Sequence, residues 1–208
     1  MDETQAARLF GFGGELVPGV RFASVSVTAV ARIDRAEVQR RQAVGLGAVT
    51  DHELSQVLAQ LPLDWPVPCA DLDPVTLRIL AAAPAGIVEL TATSVTRRWR
   101  PALTVTGVLL TSRDWQAGLR NVSLFAPDAP RGVLLTRPPH NVEAVTNRAR
   151  ELEIGVISAD PVETWRMLVE PRHEPAYAPG PRHWRFLETT YLAWRRLVVQ
   201  RSAVQLLR

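Results

Sequence analysis

The residues best suited to chemistry in this sequence are carboxylates close to apolar segments that could form strands. Glu89 lies within the segment GIVEL, Asp114 follows LLTSR, and Asp160 follows IGVISA. Carboxylate oxygens are the ligands that Mg²⁺ prefers, and a carboxylate can also act as a general acid or base. For Glu89 the structural alternative is an outward-facing strand position, paired with Arg97 or Arg98. For Asp114 the alternative is a helix N-cap, and for Asp160 it is a turn.

Several other kinds of catalytic site are excluded or disfavoured by composition. The sequence contains no lysine, so all 24 positive charges are arginines and no mechanism that needs a lysine ammonium can operate. The single cysteine, Cys69, lies among prolines without a nearby histidine, and we expect neither a nucleophile nor an internal disulfide there. The four histidines, at positions 52, 140, 173 and 183, are too scattered for a zinc site, so no structural metal is expected. The motifs of serine hydrolases, P-loop proteins and dinucleotide-binding folds are absent.

An arginine-rich cluster predicts contact with phosphates. The segment TRRWRP supplies Arg97, Arg98, Trp99 and Arg100, and Arg113 follows the next apolar segment. Guanidinium groups bind phosphates, and a tryptophan ring can stack on a base. We expect these five residues to bind nucleic acid, the first four as the tip of a hairpin. Two alternatives stay open: the tryptophan packs on the body of the protein, and the excess of arginine reflects the coding bias of a GC-rich genome.

The first third of the chain predicts helices and one strand. Residues Glu3 to Phe10 favour a short helix, and the alternation in ASVSVTAVARI favours a half-buried strand. Asp34 is the expected N-cap of the following helix, and Thr50 with Glu53 forms a capping box for the next one. Two helices about a glycine turn also occur in DNA-binding helix-turn-helix motifs, but the second helix is not basic and we expect packing helices. Four prolines between positions 62 and 74 argue against a regular helix or central strand there.

The second half of the chain alternates strands and helices. We expect a hairpin with arms at 87–94 and 103–110 on either side of TRRWRP. The elements that follow are a helix with Trp115, Leu119 and Val122 on one face, the strand RGVLLTR, a helix capped by Asn141, the strand IGVISA and a terminal helix from about Arg182. Apolar strands separated by helices are typical of parallel crossovers buried on both faces, so the predicted fold class is α/β.

The order of these elements over residues 86–172 resembles the core of the restriction-endonuclease-like, or PD-(D/E)XK, nuclease superfamily. The matching segments are SRDWQAGLRNV, RGVLLTRP, RARELEIGVISAD and MLVEPRHEP. The resemblance implies a mixed central sheet flanked by helices, with N-terminal and C-terminal helical additions. It places the second catalytic carboxylate of the superfamily at Val108 and the lysine at Leu110. Glu89 is the remaining candidate for the first carboxylate, and Asn121 replaces the glutamine of the helix.

The resemblance implies a domain that has lost its reaction. In the superfamily, paired carboxylates hold Mg²⁺ ions that polarise the phosphodiester and activate water. Valine and leucine supply no oxygen ligand, so we expect a catalytically inactive nuclease-like domain that binds nucleic acid through an arginine-rich hairpin and groove. One alternative is a protein-interaction or assembly module, as a homo-oligomer or complex subunit, on the same fold. The other is an active nuclease with displaced ligands, and only this one requires a cofactor, Mg²⁺.

The domain organisation expected from the sequence is one compact unit of three consecutive segments. Residues 1–80 supply a strand and helices that pack on the core, residues 81–172 form the core, and residues 173–208 form a connection and the terminal helix. The longest apolar runs are far shorter than the roughly 20 residues of a membrane span, and the N-terminus is acidic. We therefore expect a cytoplasmic protein without membrane contact.

Overall fold

The computed structural model describes residues 1–126, 128–160, 164–172 and 180–206. Its helices are α1 (Glu3–Leu9), α2 (Arg35–Ala43), α3 (His52–Gln60), α4 (Pro74–Ala81), α5 (Trp115–Ser123), α6 (Val142–Glu151) and α7 (Pro181–Leu206), with a 3-10 turn at Cys69–Asp71. Its strands are β1 (Glu15–Phe22), β2 (Val25–Ile33), β3 (Pro66–Pro68), β4 (Val88–Leu90), β5 (Ser94–Arg97), β6 (Leu103–Ser112), β7 (Arg131–Leu135), β8 (Gly155–Asp160) and β9 (Thr164–Val169).

The chain folds into two compact units, each built from separate stretches of sequence. Unit 1 comprises Met1–Arg32, Thr104–Tyr177 and Ala193–Arg208, and unit 2 comprises Ile33–Leu103 and Ala178–Leu192. This division differs from the single unit of three consecutive segments expected from the sequence, because residues 33–103 interrupt the larger sheet between β2 and β6. The connection expected after residue 172 falls largely at 173–179, outside the described residues.

Unit 1 is built on a six-stranded sheet with the order β1-β2-β6-β7-β8-β9. The two ends of the sheet are antiparallel pairs, β1 with β2 and β8 with β9, whereas β6, β7 and β8 are parallel. Helix α5 connects β6 to β7, and α6 connects β7 to β8, as parallel neighbours require. The predicted α/β class with a mixed sheet and flanking helices is confirmed.

One face of this sheet is covered by α1 and the turn that follows it. Phe10 and Phe12 are buried there in one cluster with side chains of β2, β6, β7 and β8. The aromatic rings lie against glycines of the sheet: a Cβ atom on Gly132 would be 2.5 Å from the Phe10 ring, and one on Gly107 would be 2.3 Å from the Phe12 ring. Glycine is required at these positions because the rings occupy the space of a side chain.

Helices α5 and α6 pack on the opposite face. Gly118 of α5 lies over Val133, which alternates with the α1-facing residues of β7. Asp114 caps α5 by accepting hydrogen bonds from the backbone N–H groups of Gln116 and Ala117, at 2.8 and 3.3 Å. Asn141 caps α6 in the same way. Both predicted caps are confirmed.

Unit 2 combines α2, α3, α4 and the first part of α7 with a three-stranded sheet of order β3-β5-β4. Its apolar core includes Leu58, Leu80 and Ile87 together with Trp99 and Trp184. A second buried cluster is ionic, because Glu37, Arg41 and Glu188 are all buried and Arg41 donates hydrogen bonds to both carboxylates. The predicted N-cap of α2, Asp34, is confirmed by its bond from the backbone N–H of Glu37.

Two local predictions from the sequence are wrong. The segment 103–110 does not form a hairpin with 87–94: β4 pairs with β5 of its own unit, and β6 lies between β2 and β7. The proline-rich segment does contain strand β3, but this strand lies at a sheet edge, where missing N–H groups break no ladder, so the prediction that the segment forms no central strand is confirmed. The N-cap of α3 is Asp51 rather than Thr50, since the Asp51 carboxylate accepts from the N–H of Leu54 at 2.7 Å.

Candidate nucleic-acid interface

The arginines of the segment TRRWRP are engaged inside unit 2. Arg97 donates to the carbonyl oxygen of Leu58 at 2.8 Å, and its guanidinium lies 5.0 Å from the Trp184 ring. Burial lowers the pKa of Arg97 from its ordinary value. Arg100 lies 3.3 Å from a carboxylate oxygen of the buried Glu37. Both side chains are therefore engaged in contacts within unit 2.

Arg98 and Trp99 are engaged as well. Arg98 forms ion pairs with Glu89 at 2.7 Å and with Asp64 at 3.0 Å, and the bond to Glu89 is the main cause that raises its pKa. Trp99 is only 1% exposed, and its ring centroid lies 4.9 Å from that of Trp184. The structural alternatives therefore hold: Glu89 is an exposed strand residue paired with Arg98, and the tryptophan belongs to the core.

The positions that the resemblance assigns to catalytic groups belong to different sheets. Glu89 lies on β4 of unit 2, whereas Val108 and Leu110 lie on β6 of unit 1. Val108 is fully buried, and Asn121 is half-buried on α5. Asp114 serves as an N-cap, and the turn predicted after Asp160 falls on residues outside those described. Within the described part of the chain, no three His, Cys, Asp or Glu side chains lie in a group that could hold a metal ion.

The charge of the protein is unevenly divided between the units. Unit 1 has 15 arginines and 12 acidic residues, a net charge of +3, whereas unit 2 has nine of each. The entire formal excess of positive charge therefore belongs to unit 1. A polyanion is consequently attracted to unit 1 more than to unit 2.

The arginines of the two units also differ in how they are bonded. Among the described residues, eleven arginines have neither an ion pair nor a hydrogen bond, and ten of them belong to unit 1. All ten are exposed: Arg8, Arg21, Arg32, Arg113, Arg120, Arg137, Arg150, Arg166, Arg196 and Arg201. Unit 2 contributes only Arg78 to this group. Exposed guanidinium groups without a partner in the protein retain their full capacity to bind phosphates.

Four of these arginines lie along one edge of the six-stranded sheet. Arg113 follows β6 and Arg137 follows β7, and the two strand ends are joined by a 2.9 Å bond from the N–H of Thr136 to the carbonyl oxygen of Ser112. The carboxyl ends of parallel strands lie at the same edge of a sheet, so Arg113 and Arg137 occupy neighbouring positions there.

The same edge continues to both outer strands. On one side Leu135 pairs with Ser158, which pairs with Arg166 of β9. On the other side Arg21 of β1 pairs with Ser26 of β2. We call Arg21, Arg113, Arg137 and Arg166 the basic edge. Two carboxylates, of Asp114 and Asp160, also lie at this edge, and Asp114 is bonded to the α5 backbone.

A polar cleft opens at the basic edge, between α1 and strands β2 and β6. Its volume is about 310 Å³, and Glu3, Ser26, Thr28 and Thr111 supply its polar groups. The Glu3 carboxylate accepts hydrogen bonds from the hydroxyl groups of Thr28 at 2.7 Å and of Thr111 at 3.2 Å. Of the residues predicted to bind nucleic acid, Arg113 alone belongs to this region.

A groove between α5 and α6 is a further concavity of unit 1. Its volume is about 580 Å³, and Trp115, Leu119 and Leu152 line it with Arg120 and Arg148. Arg148 is paired with Glu151 at 2.7 Å. The groove is therefore more apolar and less positively charged than the basic edge.

Only part of the basic edge has a local signal in the sequence. Arg113 and Arg137 each come directly after an apolar parallel strand, a signal that could have placed them at one edge. Arg21, Arg166 and Glu3 carry no such signal, because their positions depend on the pairing of the outer strands and on the packing of α1.

Comparison of the chain with family models, with curated proteins and with solved structures finds no match. None of the helices in the described ranges is both long enough and apolar enough to cross a bilayer.

Proposed function

We propose that unit 1 binds nucleic acid along the basic edge and does not cut it. The observation that carries this proposal is the row of four exposed arginines, none with a partner among the described residues. In contrast, the arginines of TRRWRP are already bonded within unit 2. Arginine binds phosphate oxygens through two parallel hydrogen bonds. The backbone of a duplex or of a single strand supplies such oxygens along its length.

The length of the basic edge fits an extended ligand. Neighbouring strands lie about 4.8 Å apart, so the six strands from Arg21 to Arg166 span about 24 Å. A duplex rises by about 3.4 Å for each base pair, and the edge therefore matches about seven base pairs. Contacts to four phosphates predict that the logarithm of the binding constant falls with the logarithm of salt concentration with a slope of about −3.6 for duplex DNA and about −2.8 for a single strand.

We infer the absence of cutting from the side chains at the positions that the resemblance assigns to catalytic groups. The order β2, β6, α5, β7, α6, β8 in the sheet of unit 1 supports the resemblance to the restriction-endonuclease-like core. At the positions of the carboxylate and the lysine this chain has Val108 and Leu110, and these do not fit a Mg²⁺ ion, which requires oxygen ligands.

The proposal is tested by fluorescence anisotropy with a labelled 20-base-pair duplex at several salt concentrations. The variant Arg113→Ala/Arg137→Ala removes two central contacts and is expected to weaken binding at least tenfold and to reduce the salt slope by about 1.8. Arg150→Ala is the matched control, because Arg150 is equally exposed but lies in the last turn of α6, before the amino end of β8. Equal affinities of the double variant and the wild type would contradict the proposal.

The proposed lack of cleavage requires a separate experiment. Plasmid DNA or RNA incubated with the protein and Mg²⁺ or Mn²⁺ is expected to stay intact. If the protein cuts in the presence of metal and Glu89→Ala abolishes the cutting, the protein is instead an active nuclease with displaced ligands.

A second candidate function is favoured by one observation in unit 2. Trp65 is 69% exposed, and Leu63 and Leu90 are exposed on the same three-stranded sheet or next to it. Tryptophan is enriched at the centres of protein interfaces. This patch supports an interaction or assembly module, and light scattering after size exclusion tests self-assembly directly. A dimer that Trp65→Ser converts to a monomer would support self-assembly through this patch, whereas a wild-type monomer at micromolar concentration would contradict self-assembly.

A further inference from the structure

The polar cleft contains a carboxylate that is held in place but retains unused acceptor capacity. The hydroxyl group of Thr28 donates to one oxygen of Glu3, and the hydroxyl group of Thr111 donates to the other. A carboxylate has about four acceptor positions, so two are left for a ligand. Thr28 is buried, and its 2.7 Å bond fixes the orientation of the Glu3 side chain toward the cleft.

The cleft lies between two members of the basic edge. Ser26, which lines the cleft, is the register partner of Arg21, and Thr111 precedes Arg113 by two positions on the same strand. A nucleic acid bound to both guanidinium groups passes the mouth of the cleft. The volume of about 310 Å³ lies at the small end of the range for ligand pockets, roughly 300–1,000 Å³, which suits one flat base rather than a larger ligand.

The hydrogen-bonding pattern selects among the bases. Two carboxylate oxygens accept best from two donors side by side, and guanine presents such a pair, N1–H and N2–H₂, on its Watson–Crick edge. Cytosine, adenine and thymine each place an acceptor beside their donor on that edge, which a carboxylate repels. The Watson–Crick edge is accessible only where the base is unpaired.

We propose that the Glu3 cleft receives an unpaired guanine of a single-stranded nucleic acid, with Glu3 accepting from N1–H and N2–H₂ while Arg21 and Arg113 bind the adjacent phosphates. This inference rests on the proposed function of the basic edge. It adds a base preference to a surface that otherwise recognises only the backbone. Glu3 is thus a specificity-determining residue.

The test compares labelled 12-mers of deoxythymidine that differ only at one central position, which carries thymine, guanine or hypoxanthine. Wild-type protein is expected to bind the guanine strand about tenfold more tightly than the thymine strand, in line with the value of one bidentate base contact. Hypoxanthine lacks the N2 amine and is expected to lose most of that gain. This comparison changes the ligand alone and does not depend on the folding of a variant.

Two variants complete the experiment. Glu3→Gln can still accept from one of the two threonine hydroxyl groups through its amide oxygen and can donate to the other through its amide nitrogen. It is expected to bind the thymine and guanine strands equally while keeping its affinity for the thymine strand. Glu143→Gln, an identical change at an exposed position of α6, is expected to keep the tenfold preference. Loss of the preference in both variants, or in neither, would overturn the inference.

The remaining outcomes separate this inference from the proposed function. Equal, salt-dependent binding of all three strands by the wild type would overturn the guanine preference and leave the proposed function intact. Failure to bind any strand or duplex would overturn both. Guanosine monophosphate is included as a competitor, and competition at the concentration where the 12-mer itself competes would show a site for a free nucleotide instead of a strand.

Discussion

The guanidinium of Arg41 meets the carboxylate of Glu188 through two parallel hydrogen bonds, of 2.9 and 2.8 Å, and neither side chain is exposed. Arg41 also donates from Nε to Glu37 at 2.9 Å, and the N–H of Val49 donates to Glu188 at 2.7 Å. The pair therefore joins α2 and the segment after it to the first part of α7, 147 residues apart in sequence. Burial opposes the charge of Arg41, but its bonds to Glu188 and Glu37 outweigh burial and raise its pKa.

Removal of one partner of this pair is expected to destabilise the protein strongly. Glu188→Ala leaves the Arg41 charge buried and only partly paired, a change that costs about 3–5 kcal/mol in comparable cases. Glu53→Ala, an exposed position on α3 of the same unit, is the control and is expected to change the free energy of unfolding by less than about 0.5 kcal/mol. Denaturant titration measures both. A loss below about 1 kcal/mol for Glu188→Ala would show that the pair contributes little.

The ionic cluster also predicts the response to acid. Burial raises the pKa of Glu37, but hydrogen bonds and charges of Arg40 and Arg41 outweigh burial, so its pKa in the folded protein is lowered from the ordinary 4.5. A lowered pKa contributes stability that is present above the unfolded value of 4.5 and is lost as the pH falls below it toward the folded value. We expect the free energy of unfolding to decrease below this pH less steeply in Glu37→Gln than in the wild type. Parallel curves for the two proteins would contradict the assignment.

The contact between Phe10 and Gly132 predicts a specific steric effect. Gly132→Ala places a Cβ atom 2.5 Å from the Phe10 ring, and overpacking of this kind costs about 1–3 kcal/mol. Phe10→Leu frees part of this space. The double variant Phe10→Leu/Gly132→Ala is therefore expected to lose less unfolding free energy than the two single variants lose in sum. Denaturant titration of the four proteins gives the coupling. Additive effects would show that the ring does not occupy the space above Gly132.

Loss of an arginine is expected to matter in one unit and not in the other. Arg98→Ala removes ion pairs to Glu89 and Asp64 that are largely exposed, and it is expected to change affinity for duplex DNA by less than twofold. Arg113→Ala is expected to weaken binding about threefold to tenfold, because in the proposed complex its guanidinium contacts a phosphate. Anisotropy at one fixed salt concentration compares the two variants. A larger effect of Arg98→Ala would favour the segment TRRWRP as the binding surface.

The parts of the fold that were predictable from the sequence depend on local signals. The caps Asp34, Asp114 and Asn141 are side chains that bond to the next turn of their own helix. Strands β7 and β8 are largely buried, and their apolar sequences indicate this burial. Such elements require no knowledge of distant residues.

The parts that were not predictable depend on pairing between distant residues. Nothing local shows that the chain leaves one sheet after β2 and returns to it at β6, so the partner of β6 could not be inferred. The same limit applies to Trp99, whose burial results from Trp184 on a helix 85 positions away. For the candidate site, Arg113 was identified, whereas Glu3 required the packing of α1 on the sheet.

The salt dependence of duplex binding by the wild type and by Arg113→Ala/Arg137→Ala tests the central claim most directly. We expect a slope of about −3.6 for the wild type and of about −1.8 for the double variant, with the slope of Arg150→Ala unchanged from the wild type. A wild-type protein that binds no duplex or single strand at low salt, or a double variant with an unaltered slope, would contradict it.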